Sequence, residues 1–134
     1  MQTEMLELSR YRAEKAHECL TDSQAAFGEG RLATSINRSY YAMFHMTRAL
    51  LALDGFDSKK HSTIIGYFNQ HYVATGKIAI IFNKSLTSAF QVRNESDYND
   101  FYIVSRDEAK KQLDNAAEFT EFMTRYIKEL VARY

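Results

Sequence analysis

The stretch "YYAMFHMTRALLAL", Tyr40 to Leu53, decides the fold of this 134-residue chain. Laid on a helix, it is apolar on nearly every side, broken only by His45, Thr47 and Arg48. A helix of that kind is the centre of a bundle or is buried in a subunit interface. It is too short to cross a bilayer, which needs about 20 apolar residues. Gly55 follows where a left-handed C-cap residue belongs, so the spacing predicts a helix over about Leu32 to Leu53.

Working outward, a first helix is predicted from about Glu4 to Phe27, with Leu8, Ala16, Leu20 and Phe27 at helical spacing. The sequence "GEG" at Gly28 to Gly30 stops it. A shorter third helix follows "KKHS", carries Ile64, Ile65, Phe68 and Tyr72, and ends near Gly76. The fourth begins near Lys77 with the face Ile78, Ile81, Phe82, Leu86, Ala89 and Phe90. "SRDE" at Ser105 to Glu108 is a capping box, in which serine and glutamate satisfy opposite orphan amides. It opens a long last helix whose Ala109, Leu113, Ala116, Thr120, Met123, Ile127 and Leu130 alternate in steps of four and three, a bundle seam. There is no proline, and the five glycines fall mostly between periodic segments. The expected fold is therefore all-α: an up-and-down antiparallel helical bundle of four main helices plus one short helix, a single domain over residues 1–134.

Seventeen basic residues balance seventeen acidic ones, so the whole molecule exerts no long-range pull on nucleic acid or anionic membrane. A phosphate-bearing ligand would need a local site. The lone Cys19 excludes an internal disulfide and a cysteine-based zinc site, and reads as a small buried hydrophobe in a reducing compartment. Glu14-x-x-His17 has the spacing of di-iron carboxylate bundles, but the second such pair is missing, so no metal and no cofactor is expected. "MQTEMLELSR" has no apolar run behind a basic start, and a cytoplasmic protein without membrane association is expected.

Two polar sets interrupt faces that should be apolar. Continuing the register of the fourth helix puts Arg93 and Asp97 where the next core residues belong, with Asn94 and Tyr98 stacked beside them four apart. On the second helix Asn37, Arg38, Tyr41, His45 and Arg48 form one polar stripe. These residues either satisfy one another, Arg93 with Asp97 as a structural ion pair, or line a shared cleft where an arginine grips phosphate.

"ATSINRSYYAMFHMTRALLALDGFDSKKH" (Ala33 to His61), "RNESDY" (Arg93 to Tyr98) and "SRDEAKKQLDNAAEF" (Ser105 to Phe119) together resemble the HEPN domain, in its small stand-alone prokaryotic form with an Arg-x-x-x-Asp-Tyr motif. The resemblance covers most of the chain in the expected order. It implies a helical bundle that dimerises, and either ribonuclease activity or service as the partner of a minimal nucleotidyltransferase in a toxin–antitoxin pair. Arg93, Asn94, Asp97 and Tyr98 are then the catalytic or ligand-binding residues, supported by Asn37, Tyr41 and His45. Catalytic members of the family place a histidine four to six residues beyond the arginine and its polar neighbour; here those positions hold Tyr98, Asn99 and Asp100. His45, on the second helix, is the candidate substitute, and His61 reads as a cap or a solvated residue at a helix start, with contact to phosphate as the lesser alternative. The function implied is binding of RNA or nucleotide; the alternatives are a metal-independent ribonuclease toxin and a non-catalytic interaction module. A homodimer is expected, because Tyr40 to Leu53 offers more apolar surface than one small bundle covers. The resemblance also implies silencing by transfer of AMP to a tyrosine near the motif, and Tyr102, expected to be more exposed than Tyr98, is the first candidate, with Tyr98 the second.

Overall fold

A computed structural model describes residues 2–134. Five α-helices follow in order: α1 (Thr3–Gly28), α2 (Leu32–Ala52), α3 (His61–Phe68), α4 (Ile80–Tyr98) and α5 (Arg106–Ala132). A single π-helical turn, Asn69–Val73, prolongs α3. Helix α2 is the axis of the molecule. Thirteen of its twenty-one residues are buried, and α1, α3, α4 and α5 all pack on it.

The inner face of α1 runs through Ser9, Arg12, Ala16, Cys19, Ser23 and Ala26, alternating steps of three and four. All but Arg12 are small, which lets α2 approach closely along the whole hairpin. The serines keep their polar groups satisfied: Ser23 Oγ donates to the Ser35 carbonyl at 2.7 Å and lies 2.7 Å from Ser39 Oγ. Leu8 precedes this face by one residue and is 40% exposed, so it does not join the core as its spacing suggested. The hairpin closes through Gly30 at φ +76°, and α2 ends as expected with Gly55 at φ +72°. There the Phe56 N–H reaches back to the Leu51 carbonyl at 3.1 Å, and a side chain would meet Met5 Cε at 3.0 Å.

Helix α4 starts at Ile80 rather than near Lys77. Ile78 is buried from the preceding connection, where its N–H donates to the Tyr72 carbonyl at 2.9 Å. The later start sets the phase so that Leu86, Ala89 and Arg93 point inward, while Ile81 lies outside and is 55% exposed. Ser105 caps α5 by accepting the Glu108 N–H at 3.0 Å; among the described residues the return bond from the Glu108 carboxylate does not form, so half of the capping box is realised. The predicted seam of α5 is buried from Ala109 to Met123 with Phe119 added, and becomes half-buried at Ile127 and Leu130. Contacts such as Arg12 with the Arg48 carbonyl, and Gln112 with Ser88, show antiparallel neighbours.

One expectation changes here. Tyr40 to Leu53 is covered by the chain's own helices, with Met43, Met46, Ala49, Leu50 and Leu51 fully buried. The stretch leaves no free apolar face, so it does not itself call for a second subunit.

Candidate functional site: a buried arginine in an aromatic cleft

Tyr40 and Tyr41 are consecutive on α2 and therefore diverge by about 100° around it. Tyr40 turns into the core against Phe44 and Phe90, and Tyr41 stays half-buried at the rim. Facing them from α4 is Arg93, 6% exposed, its guanidinium carbon 5.0 Å from the centre of the Tyr40 ring and 5.3 Å from that of Tyr41. The electron-rich ring faces compensate a charge taken out of water. Asp97, one turn further along α4, supplies a counter-charge with its Oδ2 3.6 Å from Arg93 Nη1, and its side chain is 32% exposed. Asn37 ties this carboxylate to α2, donating to Asp97 Oδ2 at 3.3 Å while accepting from Arg38 Nε at 3.0 Å and Nη2 at 2.7 Å.

His61, at the start of α3, completes the cleft. Its ring stacks on Phe44 with centroids 4.2 Å apart, and its Nδ1 lies 2.6 Å from the Tyr40 hydroxyl and 3.4 Å from Arg93 Nη2. A guanidinium can only donate, so Nδ1 has to be an acceptor. The Tyr40 hydroxyl, at 2.6 Å much the closer donor, takes the one Nδ1 lone pair in this pattern, which puts the His61 proton on Nε2. Burial, followed by the charges of Arg93 and Arg48, pulls the His61 pKa below the usual histidine value, in keeping with a neutral ring. Burial holds the Tyr40 phenol far above its ordinary pKa, so it remains a donor.

Arg93 is the least satisfied member of the group. Its contacts to Asp97 and His61 are longer than the 2.7–3.2 Å of ordinary N–H donation, and its buried Nε has no partner. A guanidinium carries five donors in a planar fork suited to phosphate or carboxylate oxygens. Much of that capacity is unused.

Of the residues read from the sequence, Arg93, Asp97, Asn37 and Tyr41 come together here. His45 lies next along α2, its ring centroid 5.6 Å from that of Tyr41, with Nδ1 buried and unpartnered. Its pKa is pushed down to about 4 by burial and then by Lys15, Arg48, Arg38 and Arg12. It is thus neutral and does not meet Arg93. Asn94 and Tyr98 sit on another face of α4, lining a shallow groove with Glu95 and Asn99. Tyr98 is 76% exposed, whereas Tyr102 is half-buried, which reverses the order of exposure expected of the two tyrosines. The turn after α4 explains it: the Tyr102 N–H returns to the Asn99 carbonyl at 3.0 Å and folds the residue inward, where burial and then Glu108 and Glu95 raise its phenol pKa.

Tyr40 was missed in the sequence, and His61 was read there chiefly as a cap or solvated residue. Tyr40 reads as one more core aromatic. His61 lies 32 residues from Arg93, and only the "KKH" preceding a helix hinted at its place. Cys19 is buried as expected, its thiol pKa raised by that burial. His17 of the Glu14-x-x-His17 pair lies 3.3 Å from Thr124 Oγ1, and among the described residues no cluster of three histidine, cysteine or carboxylate side chains is placed to hold a metal.

The family model described as "HEPN domain" matches residues 9–127, nearly the whole bundle including every residue of the cleft. The chain belongs to the HEPN domain family. Among similar proteins, a "UPF0332 protein" from Thermotoga maritima is 31% identical over 120 residues, covering 90% of this HEPN chain and 91% of the relative. A protein from Methanocaldococcus jannaschii bearing the name "Putative toxin MJ0605" is 28% identical over 118 residues, 88% of this chain and 87% of its own. A "UPF0332 protein" from Archaeoglobus fulgidus is 34% identical over 110 residues, 82% and 87% of the two chains.

Proposed function

We propose that this HEPN protein is the toxin-like member of a two-component pair and binds RNA or nucleotide by gripping phosphate with Arg93. The observation that carries the reading is the underused guanidinium: a buried arginine whose own chain offers only long contacts and leaves Nε bare. A phosphate oxygen would receive charge-assisted bonds from it, and the neutral His61 would add an Nε2–H donor beside it. Asp97, a third exposed, can turn outward when phosphate arrives. The toxin-like role draws on the name of the relative that covers most of the chain. The partner proposed is a small nucleotidyltransferase acting as antitoxin. Its AMP would go to a tyrosine beside the motif, and the exposed Tyr98 now precedes Tyr102 as acceptor. The homodimer remains part of the proposal but moves to a new surface: Phe101, 93% exposed, and Ile103, 88% exposed, stand beside Tyr98 at the end of α4.

A second reading, cleavage of RNA without a metal, has one observation in its favour. His61 is not in the family's motif position, yet it reaches Arg93 in space. Incubating single-stranded RNA with the protein in excess chelator, and measuring binding and chain scission together, tests both. Binding without scission supports the first reading and scission the second. If wild type and Arg93→Met bind alike, both are wrong.

A further inference from the structure

The polar stripe of α2 continues beyond the Arg93 cleft. The Tyr41 ring carries two guanidiniums: that of Arg93 at 5.3 Å and that of Arg38 at 5.1 Å from its centre. One turn on lies His45, and the next residue of the stripe is Arg48, its guanidinium 5.9 Å from the centre of the Phe44 ring. Lys15 and Arg12 border the row from α1, and all four cations act on His45.

Of these four cations, Arg12 and Arg48 hold a carboxylate, and they share the same one. Arg48 Nη2 and Arg12 Nη2 both bind Asp57 Oδ2, at 2.9 and 3.1 Å. Arg38 spends its Nε and one Nη on the neutral Asn37, and Lys15 lies 5.4 Å over the Tyr11 ring; neither forms an ion pair. Glu18 and Asp22 stand toward Cys19 at the Arg38 end, and no salt bridge joins them to this row. In a chain with no net charge, this is a local excess of positive charge on one face, continuous with the cleft through Tyr41.

We infer that Lys15, Arg38 and Arg48 form a second phosphate subsite along the α1/α2 face, which takes the backbone of single-stranded RNA as it leaves Arg93. The inference rests on the reading of the Arg93 cleft as an RNA site and deepens it. RNA is favoured over an acidic protein because the row leads directly from the phosphate-gripping arginine, and because the half-buried Tyr41 ring stands at the rim between the Arg93 and Arg38 guanidiniums, the mix of aromatic and cation that single-strand binders use. A mononucleotide would reach only the Arg93 end, and a longer strand would span both.

The test compares 5′-AMP with a labelled single-stranded RNA of about 12 nucleotides, within the range that single-strand sites cover. Both are titrated into wild type, Lys15→Gln and Lys15→Gln/Arg38→Gln over a series of salt concentrations. Each lost phosphate contact should flatten the log–log salt dependence for RNA by about 0.7, so by about 1.4 in the double variant, with roughly tenfold weaker binding at low salt. AMP affinity should stay unchanged in Lys15→Gln, whose side chain touches no residue of the cleft; in the double variant any loss of AMP affinity measures the disturbance passed through Asn37 to Asp97, and the RNA loss must exceed it. Unchanged RNA slopes in a wild type that binds both probes overturn the subsite and leave the Arg93 reading standing. If the variants lose binding to polyglutamate but keep RNA, the face takes an acidic protein and the inference is wrong. If wild type binds neither AMP nor RNA, the reading and the subsite fall together.

Discussion

Replacing His45 by phenylalanine should make the protein less sensitive to acid. In the folded chain the His45 pKa is about 4 against an ordinary 6.5, the first cause being burial and the next its cationic neighbours. Its Nδ1 is buried without a partner. As pH falls through 6.5 the unfolded chain takes up a proton that the folded chain refuses, so stability is full above that pH, declines below it, and reaches its complete loss only below the folded pKa. At 1.36 kcal/mol per pH unit the loss between pH 7 and 5 is about 2 kcal/mol for a fully buried ring. His45 is half-buried, and solvent screening reduces that to about 1 kcal/mol. His45→Phe removes this term along with the orphaned nitrogen, and keeps an aromatic ring beside Tyr41 and Phe44. The variant should therefore match or exceed wild type at pH 7. Between pH 7 and 5 its urea midpoint should fall by about 0.5–1 M less than that of wild type. Asp57 titrates below this window: burial raises its pKa, but the hydrogen bond from Arg48 and the charges of Arg12 and Arg48 outweigh that and lower it. His61 is shifted in the same direction as His45 but is common to both proteins. Parallel losses in the two proteins would show that His45 is not held neutral and would reopen it as an acid–base group.

Arg93→Met should cost about 2 kcal/mol, from two ring contacts and a long ion pair whose carboxylate is a third exposed, and should leave the chain folded. A urea midpoint corresponding to more than about 4 kcal/mol would instead mark Arg93 and Asp97 as the structural pair whose breakage strands a buried charge. Tyr40→Phe should cost about 0.5–1.5 kcal/mol by removing the hydrogen bond to His61 Nδ1. Nitrogen NMR of wild type should find the His61 proton on Nε2, and finding it on Nδ1 would refute the bonding pattern of the cleft. On co-expression with a small nucleotidyltransferase of the kind proposed as its partner, any added nucleotide mass should disappear in Tyr98→Phe and persist in Tyr102→Phe; the reverse pattern would restore Tyr102 as acceptor.

The all-helical fold was legible because the apolar period is strong and the chain has no proline to interrupt it. The central place of α2 followed from its apolar residues appearing on nearly every side, with one narrow polar stripe between them. Helix phase was less legible. Ile81 and Leu8 each lie one residue from an inward position, and apolar identity alone does not reveal a shift of 100°. On the inner face of α1, Ala16 and Cys19 were legible, but Ser9, Ser23 and Ala26 escaped notice because their service there is to be small. Arg93 and Asp97 stood out because a charge in core register is an anomaly. His61 did not, since a histidine at a helix start looks ordinary until tertiary packing sets it against Phe44 and Tyr40.

The most direct test of the cleft is a titration of 5′-AMP into the protein labelled with nitrogen-15 in arginine and histidine. If Arg93 grips phosphate, its side-chain signals and those of His61 should shift together and saturate along one curve, and Arg93→Met should abolish the His61 response. If both stay still while AMP moves signals from Arg10 in the apolar groove that Leu6, Ala13 and Ile127 help to line, or moves none, the account of the cleft as a phosphate site is contradicted.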